Sequence, residues 1–170
     1  KLFLWLCWDI GENATSILNL EKRDLLKRKN ESTNEIEYIV NLRKEILKRS
    51  RTSRSEITNY RETVELLDLL LENLKNDNDN LFDFGQRQAE KILARAVNIT
   101  EAKCLPAGQK VTLKDLRSSM ACDLLNKGWS KDEINARLGH KPSSTEIDKY
   151  VTYFAMDKKK AKEKFHDNHL

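Results

Sequence analysis

The sequence predicts a mainly α-helical domain with a small antiparallel β-sheet. Only 5 Gly and 2 Pro occur among its 170 residues, which is too few turn residues for an all-β barrel or sandwich. Hydrophobic residues make up 39% of the chain and recur at helical spacing in several segments. The chain can therefore bury a core, and its length fits a single domain over residues 1–170.

Helices are the main predicted elements. Apolar residues at helical spacing predict short helices at 2–8 and 14–20 and longer helices at 62–74, 86–98 and 114–127. Each of these segments carries enough Leu, Ile, Val or Ala to bury one face against a common core.

Two more helices are expected to begin at residues 131 and 144. Gly128 stands where a left-handed C-terminal cap would end the preceding helix. Ser130 with Glu133, and Ser143 with Glu146, have the S-x-x-E spacing of a capping box, which is typical of a helix N-terminus.

The β-sheet is predicted in the first half of the chain. The runs 37–42 and 55–60 are rich in β-branched and aromatic residues, and the basic segment between them indicates a hairpin with a charged connection. The polar stretch 27–35 predicts a loop. We expect a sheet of two or three strands at one edge of the domain.

Positive charge is concentrated in one part of the chain. The formal net charge is only +4, but residues 43–61 hold seven basic and two acidic side chains. Such a run is either a solvated surface or a contact for a polyanion such as DNA. Composition alone leaves both readings open.

The cysteines and the N-terminal run exclude several classes of protein. Cys7, Cys104 and Cys122 form no C-x-x-C pair and have no His at zinc spacing, so we predict no disulfide framework, metal site or cofactor. The apolar run 2–8 is too short to cross a membrane and lacks a cleavage site. We expect a cytoplasmic protein with no membrane or small-molecule partner, and a further segment N-terminal to residue 1.

The most informative motif lies in the C-terminal helices. The sequence reads Lys114-x-x-Arg117, then Leu138-Gly139-His140, then Tyr150, so that Arg117 precedes His140 by 23 positions and Tyr150 by 33. This order resembles the catalytic half of tyrosine recombinases, the phage-type integrases, which carry H/K-x-x-R, L-G-H and a following tyrosine. Residues 11–20 are similar to the first box of that family, and residues 81–96 to its middle helix.

The resemblance implies a DNA breaking and rejoining site. Tyr150 would attack a DNA phosphodiester to give a phosphotyrosyl link and a free 5′-hydroxyl, which conserves the bond energy for rejoining. Arg117 would clamp the phosphate with its planar fork of donors. Lys114 would contact the phosphate or transfer a proton, and His140 would donate to the phosphate or assist Tyr150. Tyr153 lies one helical turn away as a rival nucleophile.

The basic segment contains the lysine that the family carries on a β-hairpin. Lys48 is the preferred candidate for protonating the leaving 5′-oxygen, and Lys44 is the alternative. The side chains predicted to contact DNA are Lys44, Arg49, Arg51 and Arg54.

The first box departs from the family pattern at two positions. That pattern is G-x-R-x-x-E, but this chain has Asn13 at the arginine and Ser16 at the glutamate. The expected second arginine at the phosphate is therefore missing. Ser118 also stands where the family often has a second His.

Three functions are compatible with these residues. The first is an active site-specific recombinase or integrase, which the resemblance would place on double-stranded DNA in a synaptic tetramer, with a helical core-binding domain preceding this catalytic domain. The second is a degenerate relative that binds DNA without cleaving it. The third is a helix-turn-helix regulator built from helices 114–127 and 130–138.

Overall fold

The computed structural model describes residues 1–48, 52–58, 60–101, 109–141 and 144–152. The chain divides into two compact units, Lys1–Arg117 and Ser118–Leu170. The described elements of the first unit are α1 (Leu2–Asp9), α2 (Ala14–Leu18), β1 (Leu25–Lys29), β2 (Ile36–Leu42), β3 (Arg54–Ile57), α3 (Arg61–Leu71) and α4 (Gln86–Thr100). Helix α5 (Leu113–Asn126) begins in the first unit and ends in the second. The predicted class, mainly helical with a small antiparallel sheet, is confirmed.

The sheet has three antiparallel strands in the order β1-β2-β3. Strands β2 and β3 form the predicted hairpin, with Val40 opposite Glu56 and Leu42 opposite Arg54. Strand β3 ends at Ile57, earlier than the predicted residue 60. The described basic residues Arg43, Lys44 and Lys48 follow directly after the end of β2.

The prediction of a loop at 27–35 is wrong at its N-terminal end. Residues Leu25–Lys29 form the edge strand β1, and its side chains are exposed from Leu26 onward. Two of its three basic side chains form ion pairs, since Lys27 lies 2.7 Å from Asp68 and Arg28 lies 2.5 Å from Glu37. Charged side chains are common on edge strands because they discourage pairing with other chains. The sequence predicts a loop here because residues 27–29 are all charged.

The core of the first unit lies between α1, β2 and α3. Phe3 and Leu6 of α1 and Ile10, which directly follows α1, are almost completely buried, as are Val40 of β2 and Leu67 of α3. A polar contact joins two of these helices, because the Thr63 hydroxyl donates to the buried Asp9 carboxylate at 2.7 Å. This packing fixes the position of the chain where α1 ends, next to the candidate site.

The second unit contains the capped helices that the sequence predicts. Gly128 has a φ of +87°, and its backbone N–H donates to the Leu125 carbonyl, which confirms a left-handed C-terminal cap. Helix α6 (Lys131–Arg137) begins with the predicted capping box, in which the Ser130 hydroxyl accepts from the Glu133 N–H.

The last described segment is helical over 146–152. Ser143, the predicted first cap of this helix, lies outside the described residues. The buried hydrophobic residues in the described part of the second unit are Met120, Ala121, Leu124, Ile134, Leu138, Ile147 and Tyr150. Across the part of the chain that is described, no helix is both long and apolar enough to cross a lipid bilayer.

Candidate active site

A pocket of about 420 Å³ in the first unit contains three of the predicted site residues. Lys48 comes from the turn after β2, and Lys114 and Arg117 come from the first turns of α5. Lys110 lines the same pocket from the segment before α5. The pocket therefore brings together cations from two parts of the sequence that lie more than sixty residues apart.

The guanidinium of Arg117 is held by the turn between α1 and α2. Its side chain is 7% exposed, and its Nη1 donates to the carbonyl oxygen of Gly11 and lies 3.4 Å from Glu12 Oε1. Gly11 has a φ of +66°, a left-handed conformation that side chains disfavour and glycine adopts freely. A glycine at this position thus allows the turn to present its carbonyl to Arg117.

Glu12 lines this pocket, and its carboxylate side chain is fully buried. Its Oε2 accepts from Arg54 Nη2 at 2.8 Å, and its Oε1 accepts from the Asn13 backbone N–H at 2.6 Å and the Asn13 side-chain amide at 2.8 Å. Burial alone would raise the pKa of Glu12, but the charges of Arg117 and Arg54 and these hydrogen bonds lower the pKa below its usual value. Glu12 is therefore ionised and fixed in orientation.

The two residues that depart from the first-box pattern bring no charge to the site. Asn13 lines the pocket and precedes α2, with its side-chain amide donating to Glu12. Ser16 is fully buried, and its hydroxyl oxygen has no hydrogen-bond partner among the described residues. The positions where the family carries an arginine and a glutamate thus hold two neutral side chains.

The residues predicted to contact DNA fall in different environments. Arg54 is on β3, where its Nε donates to Glu56 at 2.9 Å while its Nη2 donates to Glu12. Lys44 is exposed, in a short turn of 3-10 helix over Lys44–Ile46. Arg49 and Arg51 lie outside the described residues.

His140 and Tyr150 belong to the second unit. The His140 ring is 5% exposed, with Nδ1 3.2 Å from Asn135 Oδ1 and Nε2 3.7 Å from Glu146 Oε2. Tyr150 is 6% exposed, and its backbone carbonyl accepts a weak bond from Cys122 Sγ at 3.8 Å. His140 therefore lies at the C-terminal end of α6, with a side-chain amide and a carboxylate near its two nitrogens.

The sequence analysis missed Glu12 and Lys110. Glu12 carried one available signal, since it is the single charged side chain of the first box and requires a partner if it is buried. Lys110 lies one helical turn before Lys114 in sequence but outside the helix, so spacing alone gave no reason to select it.

The pocket is suited to an anion. Its lining includes four cations (Lys48, Lys110, Lys114 and Arg117) against the two carboxylates Glu12 and Glu90. Arginine offers a planar fork that matches two phosphate oxygens, and lysine offers a mobile point charge. Among the described ranges, no group of three or more His, Cys, Asp or Glu side chains could hold a metal ion. The chemistry that this lining supports is phosphate binding.

Solved structures of recombinases share this fold. XerH site-specific recombinase bound to palindromic difH substrate, in a post-cleavage complex, matches with a TM-score of 0.68 at 20% identity, over 95% of this chain and 43% of that chain. XerA recombinase matches with a TM-score of 0.64 at 21% identity, over 99% and 56% of the two chains. The Tn1549 transposon integrase in complex with transposon right end DNA gives 0.52 at 15% identity, over 95% and 56%.

These similarities show that the chain has the fold of tyrosine recombinase catalytic domains, as the sequence motifs predict. The chain spans about half of the length of the recombinases that it matches. No protein-family model matches the sequence, and no curated protein matches it significantly.

Proposed function

We propose that this chain cleaves and rejoins duplex DNA through a 3′-phosphotyrosyl intermediate, as a site-specific recombinase or integrase. The observation that carries the proposal is the pocket in which Lys48, Lys114 and Arg117 line one anion-binding surface, in a fold shared with recombinases. A DNA phosphate is the anion that suits both the fold and the charge of the pocket.

In the proposed reaction Tyr150 is the nucleophile. Its phenolic oxygen attacks the scissile phosphorus, the phenol proton passes to His140, and the bond from phosphorus to the 5′-oxygen breaks. The leaving 5′-oxygen takes a proton from Lys48, whose ammonium, unlike a guanidinium, can release one. Arg117 stabilises the charge that develops on the non-bridging oxygens, with Lys114 as a second contact. Rejoining is the reverse, so no external energy source is consumed.

Burial of Tyr150 and Arg117 adds a requirement to this reaction. Tyr150 and Arg117 are each 6% exposed, so the proposed reaction requires both side chains to become more accessible when DNA binds. Self-association on DNA into a synaptic tetramer belongs to the same proposal.

A second candidate function is DNA binding without cleavage. The specific observation in its favour is that Asn13, at the position of the family's first arginine, donates to Glu12 and adds no positive charge. Loss of one such phosphate donor lowers rates by roughly a hundredfold to a thousandfold in comparable sites. Covalent capture of DNA by the chain distinguishes cleavage with the remaining cations from binding without cleavage.

The test is covalent capture of DNA by the tyrosine. The chain is incubated, in the presence of a chelator, with a pool of nicked duplexes that carry a randomised core, and DNA-linked protein is resolved on a denaturing gel. We expect an adduct with the wild type and with Tyr153→Phe, and none with Tyr150→Phe. An adduct that survives Tyr150→Phe contradicts the nucleophile. DNA binding without any adduct would establish the non-cleaving alternative.

A further inference from the structure

The first box of this chain lacks both charged groups of the family pattern, yet a carboxylate and an arginine meet beside it. Glu12, one residue before Asn13, has no exposed side-chain surface. Its Oε2 lies 2.8 Å from Nη2 of Arg54, which comes from β3, and its Oε1 lies 3.4 Å from Nη1 of Arg117, which comes from α5. One carboxylate thus joins arginines from two other elements.

We propose that the Glu12–Arg54 ion pair supports the phosphate-binding pocket in a chain whose first box has Asn13 and Ser16 in place of the family's arginine and glutamate. Glu12 is a positioning residue, which fixes the guanidinium of Arg117 toward the pocket. Arg54 compensates the charge that Glu12 brings into the site. This inference rests on the proposed function, because it assigns the parts of the same phosphate-binding pocket.

The positioning role follows from the chain of contacts. The Asn13 amides fix Oε1 of Glu12 and Arg54 fixes Oε2, so the carboxylate has little freedom to rotate. Oε1 and the Gly11 carbonyl then restrain the same nitrogen of Arg117. A guanidinium restrained at Nη1 has less freedom to rotate, and a fixed orientation of the guanidinium is what bidentate phosphate binding requires.

The charge-compensating role of Arg54 follows from burial. Arg54 is 15% exposed, does not line the pocket, and lies between Glu12 and Glu56. Without it, two buried carboxylates would lose an ionic partner beside a site that must accept a phosphate. The negative charge that Arg54 no longer balances would repel DNA at short range, where screening by salt is weakest.

Two substitutions separate these roles because they change the local charge in opposite directions. Glu12→Gln keeps the shape of the side chain and removes a negative charge, so DNA affinity should rise while cleavage falls on the order of 10- to 100-fold through loss of positioning. Arg54→Met should lower both affinity and cleavage, and Arg54→Lys, which keeps the charge, should recover most of the affinity.

The matched control is Glu37→Gln. Glu37 is also a buried carboxylate bound to an arginine of the sheet, since Arg28 Nε donates to it at 2.5 Å, and it does not line the pocket. The Glu37→Gln variant should be less stable than the wild type, but its DNA affinity and its cleavage rate should not change. A purely structural role for Glu12 would give the same result with Glu12→Gln.

The measurements are affinity for a mixed-sequence duplex at several salt concentrations and the single-turnover rate of adduct formation on the randomised nicked pool. Equal cleavage by wild type and Glu12→Gln, or faster cleavage by Glu12→Gln, would overturn the positioning role. If no variant, including wild type, forms an adduct, the proposed cleavage is wrong. In that case DNA affinity should still increase in the order Arg54→Met, wild type, Glu12→Gln. Any other order overturns the roles assigned to Glu12 and Arg54.

Discussion

Replacement of Arg54 by Met should destabilise the protein far more than replacement of an ordinary surface arginine. Arg54 is 15% exposed and is bound to two carboxylates, Glu12 at 2.8 Å and Glu56 at 2.9 Å, with 0% and 9% exposure. Removal of one partner from a buried ion pair costs about 3–5 kcal/mol because an uncompensated charge stays in the interior. Met fills a similar volume, so the effect of charge dominates.

The lower end of this range applies here. Glu12 keeps the Asn13 amides and the nearby Arg117 when Arg54 is lost. We therefore expect a loss of about 3 kcal/mol. For a protein of this length each kcal/mol corresponds to about 2–4 °C in Tm, which gives a decrease of about 6–12 °C.

The assay is thermal denaturation at neutral pH, with Arg61→Met as the matched control. Arg61 pairs with Glu65 one helical turn away, but its side chain is 89% exposed. Such pairs contribute little, so its Tm should change by no more than about 2 °C. Addition of Glu12→Gln to Arg54→Met should recover part of the stability. Equal Tm changes for the Arg54 and Arg61 variants would refute the reasoning from burial.

Three further predictions concern DNA binding, pH and helix capping. Lys110→Ala should reduce the log–log slope of DNA affinity against salt concentration by about 0.9, as for one lost phosphate contact, whereas Lys127→Ala, outside the pocket, should leave the slope unchanged. Because its surroundings lower the pKa of Glu12, the stability that its charge provides should be present above its usual pKa of 4.5 and be lost as the pH falls through the lower folded-state value. In acid denaturation the advantage of wild type over Glu12→Gln should therefore shrink below pH 4.5; a constant difference would contradict an ionised Glu12. Ser130→Ala should cost about 1 kcal/mol and lower Tm by about 2–4 °C by breaking the capping box of α6, and an unchanged Tm would contradict that cap.

Local patterns predicted the helices well because their signals lie within one or two turns. The Ser130 and Glu133 box and the Gly128 cap are interactions between residues at most five apart, and both are present as predicted. Strand β1 was missed because its residues are mostly polar and its pairing with β2 is a tertiary interaction that local spacing does not reveal. Lys27 is held by Asp68, 41 residues away, and no spacing rule contains that contact.

The same difference in sequence separation explains which residues of the candidate site could be predicted. Lys114 and Arg117 were found because they share one helical turn and a short motif. The partnership of Glu12 with Arg54 spans 42 residues, and that of Glu12 with Arg117 spans 105. Sequence reasoning could state that an arginine was missing at Asn13, but only tertiary structure could show which groups stand around the gap.

The composition of the pocket makes the orientation of Arg117 more important than it would be beside a second arginine. Of the cations that line the pocket in the described part of the chain, Arg117 is the only arginine, and the others are Lys48, Lys110 and Lys114. Lysines attract a phosphate as point charges but do not impose a direction on its oxygens, whereas the arginine fork does. If two arginines bound the phosphate, one could still orient its oxygens when the other was displaced. With a single fork, the geometry of the bound phosphate depends on the groups that fix that fork, and the Gly11 carbonyl and the Glu12 carboxylate are two of those groups.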